Sequence, residues 1–229
     1  MMLPSEVPVM TLPNAILLPQ AFLPLYIFEP RYRKMLRDSL DSARMFSVAM
    51  QKPGRTRETP TPVAGLGLIR GSVQHEDGTS HLLLQGIARV QLAETVRYKP
   101  YRVQRIRPVE SPPSNDLAVD ALLAKVRELL DDRVKLGLSF SSPFMTDSNS
   151  NPDSAAPPML PGFPPAGAIE YLDHLTDPDQ VADLVSGAVL ASPAERQTIL
   201  ETPHLESRLK HLIHFLMAEI RRKRKDTNR

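Results

Sequence analysis

LPNAILLPQAFLPLYIFEPRYRKML, residues 12–36, sets two Pro-punctuated apolar runs directly before a Glu-Pro-Arg-Tyr step. Pro19 and Pro24 bar a continuous helix and fit an edge or irregular strand, because proline removes a backbone donor. Leu25, Tyr26, Ile27 and Phe28 then read as a short buried-strand-like run. Glu29 falls at a helix cap and Pro30 at the first helical position, where its missing N–H leaves nothing unsatisfied. Tyr32, Met35, Leu36 and Leu40 follow on one apolar helical face, with Arg31, Arg33, Lys34 and Arg37 on the polar one.

Around this stretch, 229 residues are enough to bury roughly 70% of the unfolded surface, so a core forms without staples. Hydrophobic residues at 41%, charged at 24% and a mean hydropathy of -0.23 describe ordinary globular protein. The 23 Pro against 10 Gly demand many rigid turns. With no Cys, a disulfide framework and thiolate metal sites are excluded, in keeping with a reducing compartment. Neither a signal peptide nor a membrane span is visible, and the expected location is the cytoplasm. A formal charge of +2 gives no general case for nucleic acid. The basic run Arg221, Arg222, Lys223, Arg224 and Lys225 reads as a solvated helix end that complements the negative pole of the helix dipole.

The first part of the chain reads as strands with one helix. Val7 to Leu12 and Met45 to Met50 are strands, and Lys52 to Pro62 is a connection. Gly65, Leu66, Gly67, Leu68 and Val73 lead to the turn Glu76-Asp77-Gly78-Thr79, and His81 to Leu84 starts the return. Gly86 marks a bulge, and Ala88 to Val96 and Tyr101 to Val109 alternate as antiparallel strands joined by Tyr98-Lys99-Pro100. About six strands with one helix predict a small, partly closed β barrel.

Beyond Pro112-Pro113 the period shifts from two to about 3.6. Leu117, Leu122, Val126, Leu129, Leu130 and Val134 are predicted to line one helical face, capped by Ser114, Asn115 or Asp116 and ended by Gly137. Asp177-Pro178-Asp179-Gln180 and Ser192-Pro193-Ala194-Glu195 carry the capping-box pattern, and Thr202-Pro203 repeats its first two elements before a long stripe from Leu205 to Ile220. The expected organisation is a β-rich lobe over residues 1–112 and a helical lobe over 113–229, an α+β chain. Within the second lobe, residues 139–165 are a Ser/Pro-rich insertion predicted to be flexible. Its Phe140, Phe144, Met145, Leu160 and Phe163 are apolar beads, read either as loose packing on the body or as a peptide-binding strip.

Catalytic motifs are missing from this pattern. No Gly is followed by Lys, so there is no Walker loop, and Gly65, Gly67 and Gly71 miss the dinucleotide spacing by one residue within a strand pair. Backbone packing explains those glycines better. There is no GxSxG nucleophile elbow and no Cys. His75 and His81 flank one turn with Glu76 and Asp77, yet turn-flanking polar residues are ordinarily just solvated. His204, His211 and His214 lack metalloprotease spacing and suit surface or interhelix hydrogen bonds. Glu29 and Arg31 read as a cap and its ion-pair partner. No catalytic residue, cofactor or metal site is therefore assigned, and Glu29→Ala is expected to lower stability rather than remove binding.

Residues 12–36 resemble the start of the N-terminal substrate-recognition domain of the ATP-dependent Lon proteases, a domain that also occurs alone and in cereblon. The Gly65-Leu66-Gly67 and Leu82 to Gly86 hairpin matches that family's pattern. So does the closing segment 177–220, through Asp177, Pro178, Ala182, Asp183, Leu184, Arg208 and Leu209. The resemblance implies a PUA-like β pseudobarrel followed by a helical bundle. It further implies a stand-alone, non-catalytic module of protein quality control, without the ATPase and Ser-Lys peptidase that full-length Lon carries in later domains. Implied partners are unfolded or peptide segments of other proteins, with a separate ATPase or protease as the machine served. An apolar groove with main-chain hydrogen bonding is the physical expectation for such ligands. The alternative is a PUA-like RNA binder using the basic C-terminal helix end, which the scarcity of aromatics disfavours.

Overall fold

The computed structural model describes residues 3–55, 58–138 and 175–227, in two compact units that divide between Val109 and Glu110. The first holds β1 (Glu6–Leu12), β2 (Phe22–Ile27), α1 (Pro30–Leu40), β3 (Met45–Met50), β4 (Val63–Gln74), β5 (Ser80–Arg97) and β6 (Val103–Pro108). The strands run in the order β2-β5-β4-β3-β1-β6, and β6 also pairs with β5. That extra pairing closes β1, β3, β4, β5 and β6 into a ring. β2 lies outside it, on the first half of β5, through Phe22↔Gln85 to Ile27↔Ser80.

β5 is one strand of 18 residues, where alternation in the sequence suggests two. Register shifts beside Gly86 and Gly71 let it bend and stay paired, so the glycine marks a bulge inside the strand and not its end. β1 pairs β3 in parallel, from Val9↔Ser47 to Leu12↔Met50, across the β2–α1 crossover. Every residue of β3 is buried, so its sequence shows no polar alternation. Phe46 and Val48 join the core beneath α1 with Leu25, Ile27, Met35 and Leu36. Met45 and Ala49 join a second cluster with Val7, Val9, Leu66 and Val90.

The glycine pattern in β4 and β5 serves close packing. An ideal Cβ on Gly65 would lie 1.9 Å from the Leu17 carbonyl oxygen, and one on Gly86 would lie 2.1 Å from that of Leu18. The buried stretch Ala15–Leu18 thus rests on bare backbone. Gln20 N–H donates to Gly86 O at 2.9 Å and Gly86 N–H to Ala21 O at 2.8 Å, which satisfies the buried loop.

The second unit holds α2 (Asp116–Lys135), α3 (Pro178–Val189), α4 (Pro193–Glu201) and α5 (Leu205–Thr227). Asn115 caps α2 by accepting from Ala118 N–H. Gly137, at φ 67°, ends it: Leu138 N–H reaches Arg133 O and Gly137 N–H reaches Val134 O, a Schellman closure. Asp177 and Ser192 cap α3 and α4, each with Pro in the first turn. α5 packs against α2, α3 and α4 and buries Leu205, Leu209, Leu212, Leu216 and Ile220. Each such leucine contributes about 1.5–3 kcal/mol.

Two helix expectations are corrected. The buried face of α2 is Val119, Leu123, Val126, Leu129, Leu130 and Arg133, while Leu117 is 81% exposed and Val134 37%. Both outliers sit near the helix ends, off the stripe that Val119, Leu123, Val126, Leu130 and Arg133 bury. Thr202-Pro203 does not start α5, because Thr202 is the C-cap of α4 and its hydroxyl donates back to Thr198 O at 2.7 Å. α5 begins at Leu205, with Arg208 N–H bonded to His204 O.

The polar centre of the helical unit is Arg208, fully buried. Its guanidinium donates to Asp183 at 3.0 Å, to Ser111 Oγ at 2.9 Å and to Asp179. Asp183 is only 2% exposed, so two opposite charges are buried side by side and offset each other's loss of water. This explains physically why the Asp-Leu step at 183–184 and the Arg-Leu step at 208–209 occur in one sequence.

Candidate peptide-binding face

Burial of Leu23, Leu25 and Ile27 on β2 and of Leu82 and Leu84 on β5 forces the alternate residues to the outer side of the sheet. Tyr26 and Phe28 are therefore exposed, at 37% and 48%, which corrects the expectation that residues 25–28 are uniformly buried. Tyr26 stands directly opposite His81, their rings 4.8 Å apart, and stacks on Phe28 at 5.9 Å. Across the next ladder His81 faces Val73, which is 64% exposed. A continuous row, Phe28–Tyr26–His81–Val73, thus crosses three strands.

His75 extends the row. Its Nε2 and His81 Nδ1 are 2.7 Å apart, with the rings edge to face. The turn that brings them together is well determined chemically. Gly78 takes φ 79°, His75 N–H donates to Thr79 O, and Gly78 N–H donates to His75 O. The Asp77 carboxylate accepts from both the hydroxyl and the N–H of Thr79, and that hydroxyl bond first of all holds its pKa below the usual carboxylate range. Asp77 is thereby committed to the turn. Among the described residues no group of three or more His, Asp and Glu is arranged to hold a metal ion.

The other residues singled out in the sequence have structural places. Glu29 occupies the N-cap position but makes no side-chain cap bond. Its carboxylate instead accepts from Arg31 Nε at 2.8 Å, while Arg31 also pairs with Glu58 and lies 4.4 Å over the Tyr32 ring. Burial, seconded by the Glu58 charge, pushes the Tyr32 phenol up to about 12. His211 approaches Thr202 Oγ1 at 3.4 Å and stacks on Phe215, and His214 meets the same ring edge-on. Phe140, Phe144, Met145, Leu160 and Phe163 lie outside the described residues. The run Leu25–Phe28 conceals the exposed row because four apolar residues in succession look interior; strict alternation with Leu25 and Ile27 is the signal that separates the two faces.

The chemistry of the face is that of contact: aromatic and aliphatic surface beside a pair of imidazoles able to donate and accept hydrogen bonds. No helix among the described residues is long and apolar enough to cross a membrane.

Comparisons with known proteins agree with this architecture. Lon protease of Anaeromyxobacter dehalogenans is 27% identical over 93% of this chain and 23% of its own length. Lon protease of Trichlorobacter lovleyi is 26% identical over 95% of this chain and 24% of its own. The chain thus spans about a quarter of the curated relatives it matches. Among solved structures, the N-terminal domain of Mycobacterium avium complex Lon protease superposes with a TM-score of 0.67 at 19% identity, covering 93% of this chain and 98% of that one. A Lon N-terminal domain protein from Xanthomonas campestris gives 0.51 at 20% identity, covering 93% and 99%. The family model for the substrate-binding domain of ATP-dependent protease La (LON) matches residues 6–218. The chain belongs to the Lon substrate-binding domain family.

Proposed function

We propose that this chain recognises extended, apolar segments of other proteins without turning them over, at the outer face of β2, β5 and β4. The observation that carries the reading is the exposed row Phe28–Tyr26–His81–Val73 on a member of a substrate-binding family. An unfolded segment laid across this row would exchange water for aromatic contact, the residue type that dominates binding hot spots. The five apolar residues of the Ser/Pro-rich stretch add, on sequence grounds, a supplementary contact. The role is one of protein quality control in the cytoplasm, delivering bound segments to a separate ATPase or protease.

The test is binding of a permanently unfolded casein-type protein to the wild-type chain and to Tyr26→Ala with Phe28→Ala. Each truncation removes on the order of 1–2 kcal/mol, so the double variant binds at least about tenfold more weakly at an unchanged melting temperature. Equal affinity of the two proteins would sink the assignment of the face. Tight RNA binding that falls steeply with salt would replace it with the RNA reading.

A further inference from the structure

On the opposite side of the β4–β5 hairpin, a cleft of about 60 Å³ lies between its strands and α1. One water needs about 10–15 Å³ on this scale, so the cleft holds a carboxylate together with a small apolar group beside it. Leu36 and Leu40 line its apolar part; Arg33, Arg37, Ser72, Gln74 and Ser80 supply the polar part.

These polar groups are unspent. Of the basic side chains on α1, Arg31 is held by Glu29 and Glu58, and Lys34 by Asp38 at 3.2 Å. The guanidinium groups of Arg33 and Arg37, four residues apart and so on one helical face, have no hydrogen bond or ion pair among the described residues. Asp77 feels the Arg33 charge, but its carboxylate is already bonded twice to Thr79. Ser80 is 6% exposed and its hydroxyl, like that of Ser72 and the Gln74 amide, has no side-chain partner among the described residues. Gly78 makes room for Arg33: a Cβ there would fall 1.8 Å from Arg33 Nη2, so the tip of the guanidinium comes up against that glycine.

Two arginines, two hydroxyls and an amide converging on a small space are a donor set for an oxyanion. An Asp or Glu side chain or a free phosphate would use the donors and leave the open side of the half-buried Leu40 uncovered. The end of a polypeptide carries a carboxylate and an apolar side chain on the same carbon, and it uses both. We infer that the cleft captures the C-terminal carboxylate of a bound polypeptide that ends in an apolar residue. This rests on the peptide-binding reading above and deepens it: chains would be selected by their exposed ends as well as by apolar content.

The experiment measures binding of a short extended peptide ending in leucine, as free acid and as C-terminal amide, to the wild-type chain and to Arg33→Gln with Arg37→Gln. Both arginines reach solvent, and a thermal melt confirms that the variant is folded. Charge-assisted bonds to the carboxylate give the acid about a tenfold to hundredfold advantage. The variant loses that advantage while its affinity for the amide is unchanged. Equal binding of acid and amide by the wild-type chain overturns the inference and leaves peptide recognition standing. An amidated phosphopeptide that binds as tightly as the acid reassigns the cleft to phosphoryl groups and overturns it too. Failure of both leucine peptides to bind overturns the inference together with the reading beneath it.

Discussion

The β-rich unit and the helical unit meet the same difficulty, polar groups at the centre of a packed body, by opposite means. Around Leu17 and Leu18 the β-rich unit dispenses with side chains: Gly65 and Gly86 leave space for backbone carbonyls, and Gly86 exchanges hydrogen bonds with the buried loop. Around Arg208 the helical unit does the reverse and places a whole guanidinium among Asp183, Asp179 and Ser111. Close approach is intolerant of added volume, whereas buried charge is intolerant of a missing partner. The two units should therefore fail under different kinds of substitution.

The largest effect expected is from Arg208→Ala. It removes the counter-charge of the buried Asp183 and costs about 3–5 kcal/mol, seen as a lower urea midpoint. Arg208→Met combined with Asp183→Leu restores most of that loss, because well-packed apolar replacements remove both desolvation costs. If the double variant is no more stable than Arg208→Ala, the charge account of the helical unit is wrong.

Next is an alkaline weakness of the β-rich unit. The folded phenol of Tyr32 titrates at about 12, above the unfolded value of about 10, so the folded state holds its proton longer. Stability present below pH 10 is lost as pH rises towards 12, by up to about 3 kcal/mol. Tyr32→Phe should flatten that stretch of the stability–pH curve, and an unaltered curve would mean the phenol is not the group responsible.

Gly86→Ala follows, at about 1–3 kcal/mol for overpacking against the Leu18 carbonyl. Gly71→Ala is its control, since nothing lies within 4 Å of that position, and it should stay within about 0.5 kcal/mol of wild type. Equal effects at both sites would remove the distinction drawn between the units. Smallest is Glu29→Ala, below about 1 kcal/mol: its carboxylate forms an exposed ion pair and no cap bond, and Pro30 still sets the helix start. A larger loss in thermal melting would show that the cap position matters through its side chain after all.

Legibility in the sequence followed how local each determinant is. The β3 limits, the Gly78 turn, the Gly137 end of α2 and the proline-led starts of α1, α3 and α4 depend on neighbours within a turn and are readable, while the α2 N-cap stays open among Ser114, Asn115 and Asp116 until the Ala118 bond selects Asn115. The parallel β1–β3 pairing was not, since nothing in either strand names its partner. The buried face of α2 was misplaced because α5, not the hydrophobic residues of α2 alone, decides which stripe is covered. At the candidate site, the meeting of His75 and His81 was foreseeable from the turn. The exposure of Tyr26 and Phe28 is hard to see because aromatic residues next to Leu25 and Ile27 look like core until alternation is enforced. The Arg33–Arg37 cleft needs β4 and β5 brought to α1, so no local motif announces it.

The position of β2 outside the five-strand ring has an evolutionary corollary. Ring closure depends on β1, β3, β4, β5 and β6, whereas Tyr26 and Phe28 project from the appended strand and its edge. Substitutions on that outward side leave the closing ladders untouched. On the proposed function, ligand preference can thus diverge among descendants of this chain at little risk to foldability, with the ring as a fixed chassis and β2 as its interchangeable panel.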